Sequence, residues 1–201
     1  LYTLTADIIV SMQKVLEDFG PDYVFVHGDT TTSTAAALAS FYFGTKVCHV
    51  EAGLRTYNKW SPFPEEINRQ LTGRIADIHF APTVQAKVNL VSEGIKEEKI
   101  VVTGNTVIDA LLHGVEIVSD KKFNNDEIGQ LNEIVGNSEY ILVTGHRREN
   151  FGDGFINICE ALVEIAKLKQ GVKIIYPVHL NPNVQEPVNK ILKGVPNIHL
   201  M

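Results

Sequence analysis

The strongest constraint on this chain is a repeated alternation: short apolar, strand-like runs that end in polar turns, each followed by a helical stretch. Tyr23 to His27 is one such run and opens into Gly28-Asp29-Thr30-Thr31-Thr32; Lys46 to Val50 is the next and opens into Glu51-Ala52-Gly53-Leu54-Arg55. Further strands are predicted over Asp77 to Ala81, Lys99 to Thr103, Tyr140 to Thr144, Val172 to Val178 and Asn197 to Met201. Between them, helical periodicity predicts helices over Thr32 to Phe43, Pro64 to Ala76, Thr83 to Glu93, Thr106 to Val118, Gly154 to Lys169 and Val184 to Leu192. A first helix carries Leu4, Ile8, Met12, Val15, Leu16 and Phe19 and is stopped by Gly20-Pro21. Strand-helix alternation of this kind folds into parallel sheets covered by helices, so the fold class is α/β. In such sheets ligands bind beyond the carboxyl ends of the strands. Asp29 and Glu51 stand at two such ends, which points to a site that moves protons.

Composition narrows the function classes. With 18 basic and 24 acidic residues the net charge is −6, so no general affinity for nucleic acid is expected. No apolar run approaches the roughly 20 residues needed to span a bilayer, so no membrane association is expected. Residues 1–20 carry acids and lack a signal-peptide pattern. Cys48 and Cys159 lie in apolar stretches without metal-ligand spacing; buried free thiols in a reducing compartment are favoured over a disulfide. The expected location is the cytoplasm, and no metal site is expected. The polar run Asp120 to Asp126 marks a linker or surface excursion over 120–139, with the alternation resuming at 140.

Each candidate residue has a plain structural reading beside the chemical one. Asp29 could cap the following helix, but Thr30, Thr31 or Thr32 could cap it equally well and leave Asp29 to a ligand. The Thr-rich turn before a helix N-terminus could receive phosphate, although no P-loop pattern is present. Glu51 could be a loop acid paired with Arg55. Glu65 and Glu66 are favoured in a first helical turn by the helix dipole alone. Taken together, Asp29, Glu51 and Glu65 at neighbouring strand ends would raise one another's pKa and suit proton transfer near neutral pH. His146-Arg147-Arg148-Glu149-Asn150 follows a strand and could hold diphosphate oxygens, or be a solvated charged loop. His179 ends another strand and reads first as a structural residue. His27 and His49 are expected to line the sheet end and support its loops.

Six ordered segments carry a family resemblance: His27-Gly28-Asp29-Thr30-Thr31-Thr32, His49-Val50-Glu51-Ala52-Gly53-Leu54-Arg55, Pro62-Phe63-Pro64-Glu65-Glu66-x-Asn68-Arg69, Thr103 to Asp109, His146 to Asn150, and Pro177-Val178-His179-Leu180-Asn181-Pro182. Together, and over essentially the whole chain, they resemble the non-hydrolysing UDP-N-acetylglucosamine 2-epimerases of bacteria. The resemblance implies two Rossmann-like domains of the glycosyltransferase B type. It also implies interconversion of UDP-N-acetylglucosamine and UDP-N-acetylmannosamine, through elimination of UDP to 2-acetamidoglucal and re-addition. By the same resemblance Asp29, Glu51, Glu65 and His146 are catalytic. Arg55, Arg69, Arg147, Arg148, Glu149, Asn150 and His179 contact the nucleotide-sugar, His179 in a nucleotide-sugar or regulatory role. No cofactor is implied. The partners implied are a UDP-sugar and a second copy in a homodimer, and the setting is cell-envelope polysaccharide synthesis.

The resemblance makes residues 1–119 the remainder of an N-terminal Rossmann-like domain and 140–201 the start of a C-terminal one. Both are expected to be incomplete. The chain opens inside a helix without a capping sequence, ends on a strand, and lacks the family's opening Gly-Thr-Arg-Pro-Glu loop and later Asp-Ser-Gly-Gly segment. The 201-residue chain alone is therefore expected to be inactive and to bind UDP weakly. Competing readings are a hydrolysing epimerase or glycosyltransferase of the same fold, and a non-catalytic nucleotide-sugar-binding fragment.

Overall fold

The computed structural model describes residues 1–120, 123, 125–145 and 151–201. The chain divides into two compact units, Leu1–Ile117 and Val118–Met201.

The first unit runs α1 (Tyr2–Phe19), β1 (Tyr23–His27), α2 (Thr31–Phe43), β2 (Lys46–Val50), α3 (Glu65–Ile75), β3 (Ile78–Ala81), α4 (Val84–Ser92), β4 (Ile100–Val102) and α5 (Thr106–Ser119), the last crossing the boundary between the units. Its four strands form one parallel sheet in the order β1-β2-β3-β4, with His27 level with Val50 and Val50 level with Phe80. That register brings the turns after β1 and β2 to the same end of the sheet. The turn after β1 is short because α2 is sharply capped, whereas β2 leads into a longer loop that runs to α3. Thr30, not Asp29, caps α2: its hydroxyl accepts the Ser33 amide at 3.2 Å. Gly20 and Gly44 end α1 and α2 in the left-handed conformation that glycine adopts without a Cβ clash. The core between α2 and the sheet is built from small residues, with Ala37 and Ala76 against Val26 and Val47. A second cluster joins Ala52, Ala81, Ala86, Leu90 and Ile100. Small side chains let the helices approach the strands closely, which holds the strand-end turns near one another.

The second unit contains α6 (Asp126–Val135), β5 (Tyr140–Leu142), α7 (Asp153–Leu168), β6 (Lys173–Tyr176), α8 (Pro182–Leu192) and β7 (Ile198–Leu200). Its parallel sheet has the order β5-β6-β7. Its core gathers Phe155, Cys159, Leu162 and Ala166 from α7, Ile174 and Tyr176 from β6, and Val184, Val188 and Leu192 from α8.

Both sheets are parallel and helix-covered, as an α/β fold requires. The difference from the sequence reading lies in 120–139, read as linker or surface excursion, where a ten-residue helix α6 stands. Asn125 caps it by accepting the Ile128 amide at 3.1 Å. Its apolar residues Ile128, Leu131 and Ile134 recur every third position, a stripe that the neighbouring polar run concealed. Cys48 and Cys159 are both buried free thiols, and burial pushes each thiol's pKa up.

Candidate active site

The candidate site occupies the carboxyl ends of β1 and β2 and the start of α3. Asp29 lies in the two-residue turn between β1 and the Thr30 cap, so capping does not consume its carboxylate. It is instead met from α3. The Arg69 guanidinium forms an ion pair with Asp29 Oδ2, and Asn68 Nδ2 donates to the Asp29 carbonyl at 2.9 Å. Asp29 keeps 30% of its side chain exposed while Arg69 keeps only 11%. The acid is therefore oriented by a cation that is itself turned inward.

Glu51 follows β2 directly and adopts a positive φ of 66°, uncommon for a residue with a side chain. Its carboxylate reaches back over β1. Glu51 Oε2 stands 3.3 Å from His27 Nε2, and a Cβ placed on Gly28 would lie 3.5 Å from the same oxygen. That distance is ordinary contact, so it is the left-handed φ of 71° that calls for glycine at position 28. His49, fully buried in β2, has Nε2 at 2.8 Å from the Gly28 carbonyl and so supports that turn from below. Burial holds the His49 pKa below its ordinary 6.5, leaving a neutral ring under the acids.

The loop from Glu51 to α3 is fastened at three points. Gly53, at φ 90°, presses so closely on α4 that any Cβ would collide with the Ala86 carbonyl, and Asn89 Nδ2 donates to the Gly53 carbonyl at 2.9 Å. Arg55 then grips Glu93 with two hydrogen bonds of 2.7 Å and donates to the Leu54 carbonyl at 2.8 Å. Further on, Glu66 accepts the Thr56 and Tyr57 amides at 3.0 and 3.1 Å.

Two sequence expectations change here. Arg55 turns away from Glu51 to a partner at the end of α4. Its side chain is 0% exposed and neutralised by Glu93, so it fastens the loop to α4 and does not pair with Glu51. Glu66 is more than a residue favoured by the helix dipole. It is fully buried, bonded to two loop amides and to Gln70 Nε2 at 2.9 Å, and 3.4 Å from Arg69 Nη1. Burial raises its pKa, but those donors outweigh burial and the net shift is downward. The sequence does hold a signal for this arrangement, the Glu-x-x-Arg spacing of Glu66 and Arg69, which stacks the pair on one helix face.

Glu65 is half-buried at the first position of α3, with Pro64 before it as the N-cap residue. The structure thus places Asp29 and Glu51 at the adjoining ends of β1 and β2, with Arg69 and Glu65 on α3, the helix that holds Asp29. In the second unit His179 lies between β6 and α8, and its Nδ1 accepts the Asn181 amide at 3.1 Å. His146, Arg147, Arg148, Glu149 and Asn150 lie outside the described residues. Among the described residues no group of three or more His, Cys, Asp or Glu side chains is arranged to hold a metal ion, and no helix is long and apolar enough to cross a membrane.

Comparison with known proteins decides the family. The profile described as UDP-N-acetylglucosamine 2-epimerase matches residues 1–201. The chain belongs to the UDP-N-acetylglucosamine 2-epimerase family. It is 54% identical over 205 residues to the UDP-N-acetylglucosamine 2-epimerase of Campylobacter jejuni, covering 100% of this chain and 54% of that protein. Among solved structures it is similar to the Neisseria meningitidis UDP-GlcNAc 2-epimerase bound to UDP-GlcNAc, with a TM-score of 0.90 and 48% identity over 98% of this chain and 53% of that one. It is also similar to S. aureus MnaA in a co-structure with UDP, at TM-score 0.90 and 42% identity, over 100% of this chain and 53% of that one. The chain therefore spans about half the length of the epimerases it matches.

Proposed function

We propose that the protein carrying this chain interconverts UDP-N-acetylglucosamine and UDP-N-acetylmannosamine by elimination of UDP and its re-addition to 2-acetamidoglucal. The observation that carries the reading is the placement of Asp29 and Glu51 at the carboxyl ends of adjacent parallel strands, both partly open to solvent, in a member of the epimerase family. The hydrogen on C2 of the sugar is weakly acidic. Its removal needs a positioned carboxylate base and a departing anion, and re-addition with the opposite configuration needs an acid or base serving the other face. Asp29, Glu51 and Glu65 supply the carboxylates. Arg69 acts on the sugar through Asp29, which it orients. His146, with Arg147, Arg148, Glu149 and Asn150, receives the diphosphate and offsets its charge as it leaves. His179 contacts the nucleotide-sugar or a regulatory copy of it. The reaction so written requires no cofactor.

The same reading makes the protein cytoplasmic and homodimeric, with residues 1–119 and 140–201 belonging to its two Rossmann-like domains. It also makes the 201-residue polypeptide inactive by itself. Holding glucal and UDP together between the two half-reactions is worth roughly 7–11 kcal/mol, and half a protein lacks much of what does the holding. The test is isotope exchange with the natural full-length protein in heavy water. Deuterium at C2 of both epimers, with no free sugar, is the expected result. A product that retains its C2 hydrogen overturns the elimination route, and accumulation of free N-acetylmannosamine identifies a hydrolysing enzyme instead.

A further inference from the structure

One buried carboxylate touches both halves of the site, and neither its family motif nor its place in a helical first turn explains why. Glu66 is 0% exposed. Burying an ionised acid is costly unless every oxygen is compensated. Here Oε2 accepts the Thr56 amide at 3.0 Å and lies 3.4 Å from Arg69 Nη1, while Oε1 accepts the Tyr57 amide at 3.1 Å and Gln70 Nε2 at 2.9 Å. The two amides belong to the loop that begins at Glu51. Arg69 is the cation that pairs with Asp29. Arg69 is thus held between two acids: an inner one that never meets solvent and an outer one at the mouth of the site. Without the inner charge, Arg69 would have a single anionic partner and the loop would lose two anchors at once.

We propose that Glu66 is a positioning residue for the epimerase reaction: it fixes Arg69 against Asp29 and, through the Thr56 and Tyr57 amides, fixes the loop that carries Glu51. Glu66 contacts no substrate and acts only through these groups. The role rests on the reading of Asp29 and Glu51 as catalytic carboxylates, and it adds a residue which that reading does not contain. Gln70 completes the set, because its amide occupies the lone pair of Oε1 that no loop amide reaches.

The test uses the natural full-length enzyme. E66Q keeps the shape and one acceptor oxygen but removes the charge. It is expected to lower kcat about 100-fold, the scale of a misplacement near 1 Å, while KM for UDP-N-acetylglucosamine changes far less, because Glu66 contacts no substrate. A purely structural role would reduce the fraction of active enzyme and leave kcat per active site alone, so active sites are counted by UDP titration. Because Glu66 acts on Asp29 through Arg69, the double variant E66Q/R69Q should lose much less than the product of the two single losses. Wild-type kcat per active site in E66Q, or fully multiplicative losses in the double variant, overturns the role. If E66Q does not fold by circular dichroism, E66D carries the test, since it keeps the charge but withdraws it from the loop amides; wild-type kcat there overturns the proposal and a selective fall in kcat supports it. D29N, measured in parallel, separates the two layers. An inactive D29N beside a normal E66Q removes only the positioning role, whereas an active D29N removes the catalytic reading and this role with it.

Discussion

At the scale of single residues, two kinds of carboxylate share one corner of the sheet. Glu66 is buried and bonded on every side, whereas Asp29 and Glu51 keep about a third of their side chains exposed and each has a basic partner, Arg69 and His27. Exposure with a fixed orientation suits a group that must gain and lose a proton; complete burial with four donors suits one that must not. D29N, E51Q and E65Q in the natural full-length enzyme should therefore each lower turnover by about 100- to 10,000-fold, the range for a positioned acid or base. Stability should move far less, because none of the three is a buried, fully bonded acid. Steady-state rates alongside thermal melts check this. Normal turnover in all three returns Asp29 and Glu51 to loop support and Glu65 to the helix dipole.

At the scale of elements, the decisive feature is the loop from β2 to α3. It has no regular structure of its own and is held by α4 and α3. Gly53 is its tightest point, with a left-handed φ and no room for a Cβ against the Ala86 carbonyl. G53A should cost at least about 1–3 kcal/mol through backbone strain alone, and turnover should fall with it because the same loop starts at Glu51. Gly114, in α5, is the matched control. A Cβ there meets nothing within 4 Å, so G114A should be neutral or stabilising by about 0.5–1 kcal/mol. Urea midpoints for the two variants decide the matter, and equal midpoints would rule out the collision.

At the scale of the whole molecule, buried titratable groups set the response to acid. His79, level with His49 across the β2–β3 pair, is pushed from 6.5 down to about 4, first by burial and then by repulsion from the Lys99 charge and from His49 whenever that ring takes up a proton. The unfolded chain takes up a proton at His79 well before the folded one does. This contribution is complete above pH 6.5 and is lost as pH falls toward 4, amounting to on the order of 3 kcal/mol. Glu66 adds a loss of the same sign below its ordinary 4.5, because its folded pKa is also depressed. Stability should therefore be flat above pH 6.5, decline below it as the unfolded chain protonates His79 and His49, and go on declining below 4.5 as Glu66 takes over from His79, whose contribution is spent near pH 4. Urea unfolding across that range measures it. In H79Q the slope between pH 6.5 and 4 should flatten even if overall stability changes, and an unaltered slope would show that His79 does not titrate there.

Most of the architecture was legible in the residues because it follows from local pattern. Tyr23–His27 and Lys46–Val50 are apolar runs bounded by glycine and threonine turns, and parallel pairing of such runs places Asp29 and Glu51 at one sheet end without further information. Helix α6 is not legible in the sequence because its apolar stripe is sparse and the polar run beside it reads as loop. Partner choice was not legible. Arg55 is four residues from Glu51 in sequence, yet it turns away to Glu93, thirty-eight residues on, because Gly53 and Gly73 admit the loop and its guanidinium against α4. Glu65 and Glu66 are neighbours with the same side chain, but helical geometry turns them about 100° apart, and only the packing of α3 decides which one is buried against Arg69 and the loop amides. Local sequence sets the strands, the helices and the end of the sheet where the acids stand. Which acid is left open to solvent and which is buried among donors depends on contacts between distant segments, and those exist only once the chain has closed.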